Sequence, residues 1–156
     1  MIKKFTLAII FLFSLSFLGC SANHSINFNS LELSLDENIS DENFKKGDSK
    51  SLKRFFGLKG SDFSDFLIYT PTNTMDVNEI LVLKLNDTSN IDAIKDIIEN
   101  RVDKQIETFG SYGPEQCELL EDYILKIKGN YIFYCVSNNS DDIYEIFKTA
   151  LKGGDE

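Results

Sequence analysis

Residues 122–137 read DYILKIKGNYIFYCVS, two apolar runs meeting at Gly129-Asn130. That dipeptide is a two-residue hairpin connection, because glycine and asparagine tolerate the positive φ that such turns demand. β-Branched and aromatic residues dominate both runs, so the pattern predicts strands over 122–128 and 131–137. Pairing Lys128 with Tyr131 across the turn sets the register. It puts Tyr123, Leu125, Ile127, Ile132, Tyr134 and Val136 on one side, and Ile124, Tyr131, Phe133 and Cys135 on the other.

Upstream, Asp65–Thr70 and Val77–Leu85 are apolar runs separated by a turn containing Pro71, Asn73 and Thr74, which predicts a second hairpin. Between the hairpins, Ile91, Ile94, Ile98, Val102, Ile106 and Phe109 form one helical stripe ended by Gly110, and Ser89 with Asp92 resembles a capping box. Pro114 suits the first position of a short helix reaching Glu121. After the last strand, Asn139 or Ser140 caps a helix with Ile143, Ile146, Phe147, Ala150 and Leu151 inward. Before the first strand, Leu52, Phe55 and Phe56 stand at helical spacing, with Gly57 placed to stop that helix. The order is helix-ββ-α-ββ-α. An α+β two-layer sandwich follows, with a four-stranded antiparallel sheet from two hairpins and helices mainly on the side of Leu81, Leu83, Leu85, Ile132 and Tyr134. The other side carries Ile80, Val82, Ile124, Tyr131 and Phe133, interrupted by Lys84 and Lys126, which is too apolar for a solvated face. Either the N-terminal helix or the tether folds over it, or Ile124, Tyr131 and Phe133 form an interaction face.

The N-terminus sets the expected location. Lys3 and Lys4 precede an uncharged stretch from Phe5 to Leu18, then Gly19 and Cys20, the layout of a signal peptide. Fourteen residues of helix span only about 21 Å, short of the roughly 30 Å hydrocarbon core. Phe17-Leu18-Gly19-Cys20 resembles a lipobox, in which the cysteine thiol takes a diacylglyceryl group and the chain is cut in front of it. Two acyl chains hold a protein on a bilayer where one does not. The expected boundaries are a signal peptide over 1–19, lipidated Cys20 with a flexible tether over 20–43, one α+β domain over 44–152 and a tail over 153–156. The expected place is the extracytoplasmic side of the cell membrane.

Charge and composition prune the function classes. The chain has 16 basic and 25 acidic residues, and loss of residues 1–19 removes two lysines and no acid, leaving a net charge of about −11. Such a surface repels phosphate backbones, so no nucleic-acid partner is expected. The single histidine, His24, lies in the tether, so histidine-based triads and metal sites are absent from the domain. No cofactor, metal site or catalytic residue is expected. A basic interval stands out, with Lys45, Lys46, Lys50, Lys53, Arg54 and Lys59, a solvated helix face or a contact for anionic headgroups or wall polymer. Cys117 and Cys135 are left in an exported context, where they either bridge or remain two buried thiols. A bridge would close a loop of about 18 residues and contribute on the order of 3 kcal/mol.

Several segments together resemble the domain-of-unknown-function family 4358, found in small bacterial lipoproteins. They are Leu52-Lys53-Arg54-Phe55-Phe56-Gly57-Leu58, Ile91–Phe109 with Arg101 and Gln105, Tyr112-Gly113-Pro114-Glu115-Gln116, and Lys128-Gly129-Asn130-Tyr131. The resemblance spans about Asn43 to Leu151. It implies an envelope location and a single domain, and brings no activity, substrate or cofactor with it.

One constellation carries chemistry. Arg101 and Gln105 are four residues apart and fall within the apolar arc of their helix. A half-buried guanidinium needs acceptors, and Tyr112, Glu115 and Gln116 follow at the helix end. Arg101 pairing with Glu115 or Glu118 would staple that loop to the helix. The functional alternative presents Arg101, Gln105 and Tyr112 to an anionic ligand. The reading that follows is a non-catalytic binding or protein-interaction module of the envelope, with an envelope protein as its partner. The alternatives are an envelope hydrolase using carboxylates and a structural accessory of a membrane complex.

Overall fold

The computed structural model describes residues 25–153. The expected signal peptide over 1–19, Cys20 and the last three residues lie outside the described residues. The elements in chain order are α1 (Phe28–Asn38), β1 (Phe44–Lys46), α2 (Ser49–Phe56), β2 (Phe63–Pro71), β3 (Glu79–Leu85), α3 (Ile91–Phe109), α4 (Pro114–Glu121), β4 (Ile124–Lys128), β5 (Tyr131–Val136) and α5 (Ser140–Lys152), with two 3-10 turns at Gly60–Asp62 and Thr88–Asn90. The fold is α+β around one antiparallel sheet, and the sheet has five strands in the order β1-β2-β3-β5-β4. The extra strand, β1, adds Phe44, Lys45 and Lys46 to the edge of β2 opposite Pro71, Thr70 and Tyr69. Three residues at the margin of a polar stretch give too short a pattern to read as a strand.

The central hairpin forms in the expected register, with Lys128 opposite Tyr131 and Ile124 opposite Cys135. Gly129 turns the chain at φ 60°, a conformation that costs a residue with a Cβ far more than glycine. Next to it, β5 pairs with β3, Tyr131 opposite Lys84 and Val136 opposite Glu79. Side chains alternate across the sheet, and both faces are packed. Leu81, Leu83, Ile132, Tyr134 and Val136 meet Leu52 and Phe56 of α2, Ile98 and Val102 of α3 and Leu120 of α4 in one core. Leu67, Tyr69, Ile80, Val82, Phe133 and Cys135 meet Leu31 and Leu35 of α1 and Ile143 and Phe147 of α5 in another.

Two expectations change accordingly. Helices lie on both faces rather than mainly on one, so the layers are helix, sheet, helix. The stretch read as a flexible tether contains α1, whose Phe28, Leu31 and Leu35 are buried at helical spacing. Leu33, between Leu31 and Leu35, is 64% exposed. The helix is easy to miss because serine, asparagine and acids fill the positions between its few anchors. Asn27 caps it by accepting from the Ser30 amide at 3.2 Å. Its two ends are tied to the sheet. The Ile26 amide donates to the Tyr131 hydroxyl at 3.0 Å, and the Tyr69 hydroxyl donates to Asp36 at 2.6 Å.

With α1 and α5 in place, the candidate interaction face of Ile124, Tyr131 and Phe133 is an interior. Tyr131 and Phe133 are buried, and Ile124 is partly buried against them. The Phe147 ring lies 4.9 Å from that of Phe133. The helix caps also differ in two places. At the start of α5, Asn139 makes no side-chain capping bond. Asp87, not Ser89, supplies the capping oxygen, accepting from the Ser89 amide at 2.9 Å. Ser89 therefore sits inside a 3-10 turn that runs into α3 rather than capping it.

Candidate functional site

α2 begins at Asp48, whose carboxylate accepts from the amides of Lys50 and Ser51, and ends at Gly57 with φ 72°. Leu52 and Phe56 anchor it to the first core. Phe55 is left half-buried, facing α3. Across from it, Arg101 rises from the middle of α3. A groove of about 720 Å³ lies between the two helices, lined by Phe55, Phe56, Gly57, Ile97, Asn100, Arg101, Lys104, Gln105 and Thr108. None of these residues is acidic.

Arg101 forms the floor. Its guanidinium lies 4.8 Å from the centre of the Phe55 ring and 5.2 Å from that of Phe56, distances at which the ring faces attract a cation. Nε donates to Glu79 Oε2 at 2.8 Å, Nη2 donates to Glu79 Oε1, and Nη1 donates to the Phe55 carbonyl at 3.1 Å. Three of the five guanidinium N–H donors are thus used. The partner is not Glu115 or Glu118, as the chain order suggested. It is Glu79, at the first position of β3, 1% exposed and also reached by the Tyr134 hydroxyl at 3.5 Å. Burial raises the Glu79 carboxyl above its ordinary value against the opposing pull of Arg101, and burial likewise raises the Tyr134 phenol.

Glu79 was legible in principle. It falls in phase with Leu81, Leu83 and Leu85 on the inward face of β3, and an acid in that phase needs a cation. Arg101, in the apolar arc of α3, is the complementary anomaly. Lys104 and Phe55 were missed because one is an ordinary surface lysine and the other an ordinary apolar position until the groove brings them together.

Gln105 lies in the same groove, and its Oε1 is buried without a hydrogen-bond partner among the described residues. Exchanging the amide atoms would leave nitrogen there instead. The other expected members stand elsewhere. Tyr112 is 54% exposed, its ring against Phe109 at 5.5 Å. Glu115 and Gln116 line a separate cleft of about 920 Å³ with Glu118, Asp122, Ile124, Asp141 and Asp142, between α4 and the start of α5. Pro114 restarts the chain as α4, which packs on α3 and carries those side chains away from Arg101. Among the described residues, no three His, Cys, Asp or Glu side chains are grouped to hold a metal ion. Cys117 and Cys135 are free thiols. Cys117 packs against the first core and Cys135 is buried in the second, so the sheet stands between them and no bridge forms.

The family described as Domain of unknown function (DUF4358) matches residues 37–137, about two thirds of the chain. The chain belongs to this family. The DUF4358 match contains α2, β3, α3 and therefore every residue of the groove, along with Glu79. It leaves out α1 and α5 almost entirely, the two helices that close the second core. Comparison with curated proteins and with solved structures gave no match.

Proposed function

We propose that this DUF4358 chain is an envelope lipoprotein, held on the extracytoplasmic side of the cell membrane by acylated Cys20, whose domain is a non-catalytic binding module. The groove between α2 and α3 is its binding surface, and it takes a carboxylate- or phosphate-bearing group. The observation that carries this reading is the lining of the groove. In a chain with 25 acids and 16 bases, Arg101 and Lys104 face a concave surface without one carboxylate. Two guanidinium donors remain after Glu79 and Phe55 are served. Phe55 supplies an apolar wall, so the ligand joins an anionic group to a flat or aliphatic body.

Among the described residues no helix is long and apolar enough to cross a membrane, and attachment in this reading depends on the lipid alone. The test is a thermal-shift series on the detergent-solubilised full chain, with inorganic phosphate, benzoate and benzylamine as probes. Phosphate and benzoate raise the Tm and benzylamine does not, by an amount that grows with concentration as binding to the native state alone requires. Lys104→Glu, a surface change that leaves the core intact, abolishes the shift. Equal responses to all three probes, or an unchanged response in Lys104→Glu, would sink the proposal. The anchor is tested separately by fractionation, where Cys20→Ala moves the protein out of the membrane fraction.

A further inference from the structure

We infer that the β4–β5 hairpin corner of the sheet is held against the bilayer, with Lys84, Lys126 and Lys128 meeting anionic lipid headgroups. The inference rests on acylation of Cys20. Ser25 is fixed at one end of the sheet: its hydroxyl accepts from Lys84 Nζ at 3.0 Å, and the next residue's amide donates to the Tyr131 hydroxyl. Tyr131 is opposite both Lys84 of β3 and Lys128 of β4, directly beside the Gly129-Asn130 turn. Only five residues of chain lead from Cys20 to Ser25. At full extension they reach at most about 18 Å. A domain tied that closely to its lipid cannot lie far above the surface, and the end that holds Ser25 must be the near end.

Charge points the same way. From Tyr123 to Ser140 the chain carries no acid, although 25 are present overall. Lys126 and Lys128 are exposed on β4, and half-buried Lys84 stands across Tyr131 of β5 from them, with Asp65 of β2 on its other side. The opposite end of the same strand pair, about 13 Å away at 3.3 Å per residue, opens onto the cleft of Glu115, Glu118, Asp122, Asp141 and Asp142. An anionic surface attracts the first end and repels the second. Asp62, Asp65 and Asp87 sit toward the β2 side of the near end, so the contact is a corner and the domain tilts onto its hairpin. The acidic cleft then faces away from the membrane.

The test uses the full-length acylated protein in vesicles containing phosphatidylglycerol and a headgroup nitroxide lipid. In a Cys117→Ser background, where Cys135 is buried, one fluorophore is placed at Ile127→Cys on the hairpin and another at Asn138→Cys at the far end. The expected result is several-fold stronger quenching at 127 than at 138. Adding Lys126→Glu and Lys128→Glu brings the ratio toward one. Raising the ionic strength does the same in the protein with its lysines intact, which covers the case of a poorly folded charge variant. Equal or reversed quenching, or a ratio insensitive to both charge reversal and salt, overturns the inference. Intact mass read on the same sample separates the two claims: a missing diacylglyceryl group overturns the lipoprotein reading together with this one, whereas an acylated protein with equal quenching overturns the orientation alone.

Discussion

Arg101 and Glu79 meet where neither could stand alone. Replacing Arg101 with Met removes the cation and leaves a carboxylate that is 1% exposed, which costs about 3–5 kcal/mol near neutral pH. The pH dependence has a definite sign. Glu79 has its folded pKa raised above 4.5 by burial, so its contribution is fully present below pH 4.5 and is lost as pH rises through the folded value. The deficit of Arg101→Met, read from urea midpoints, therefore shrinks as pH falls toward 4.5. Glu79→Gln strands a guanidinium that is 18% exposed and keeps its bond to the Phe55 carbonyl, so it costs less than Arg101→Met, which strands a carboxylate that is 1% exposed, and equal costs for the two would contradict this account. Cys135 offers a second check. Burial pushes its thiol from 9.0 up to about 12, so it stays protonated and unlabelled by iodoacetamide at pH 8 in the folded protein, while denaturant exposes it at once. At this scale the sequence exposed the cation of the pair and concealed its partner. An arginine inside an apolar arc is visible from one helix, but the acid that satisfies it lies 22 residues away and has to be read from the phase of another strand.

α1 shows how an element escapes notice when its surface is polar and its anchors are few. Leu31 and Leu35 are fully buried while Leu33, between them, points to solvent. Leu35→Ala should cost about 2–5 kcal/mol and Leu33→Ala almost nothing, a contrast measurable by chemical denaturation. A flexible tether would make the two alike. α2 carries a sharper backbone test, because Gly57 holds φ 72°. Gly57→Ala should cost about 1 kcal/mol with open space around the added methyl, and the helix end should exchange its amides faster. The strands were the most legible elements, since β3, β4 and β5 alternate or run apolar over five residues or more. β1 was invisible because pairing with β2, and not its own three residues, makes it a strand.

Across the whole molecule, one sheet serves two cores, and β3 and β5 are covered on both faces. Buried phenols and a buried thiol lie on those strands and on β2, at Tyr69, Tyr134 and Cys135, all with pKa values raised by burial. Groups shifted in that direction stabilise the fold fully below their unfolded values and lose that contribution as pH climbs through the folded ones. Between pH 9 and about 12 the Cys135 thiol alone accounts for about 4 kcal/mol, so the urea midpoint should fall steeply across that range. Cys135→Ala should flatten the fall. The sequence showed an apolar second face and offered the tether stretch as its cover, which α1 supplies, but α5, expected on the other face, joins it there because which face a helix takes is a tertiary fact. The rims of the sheet carry a further consequence. One outermost strand is three residues long with Lys45 and Lys46, and the other holds Lys126 and Lys128. Two copies aligned antiparallel along β4 would set Lys126 against Lys126, and like charges opposed in that way repel. Lateral growth of the sheet from molecule to molecule is thereby arrested, and dense populations of the protein resist turning into fibres.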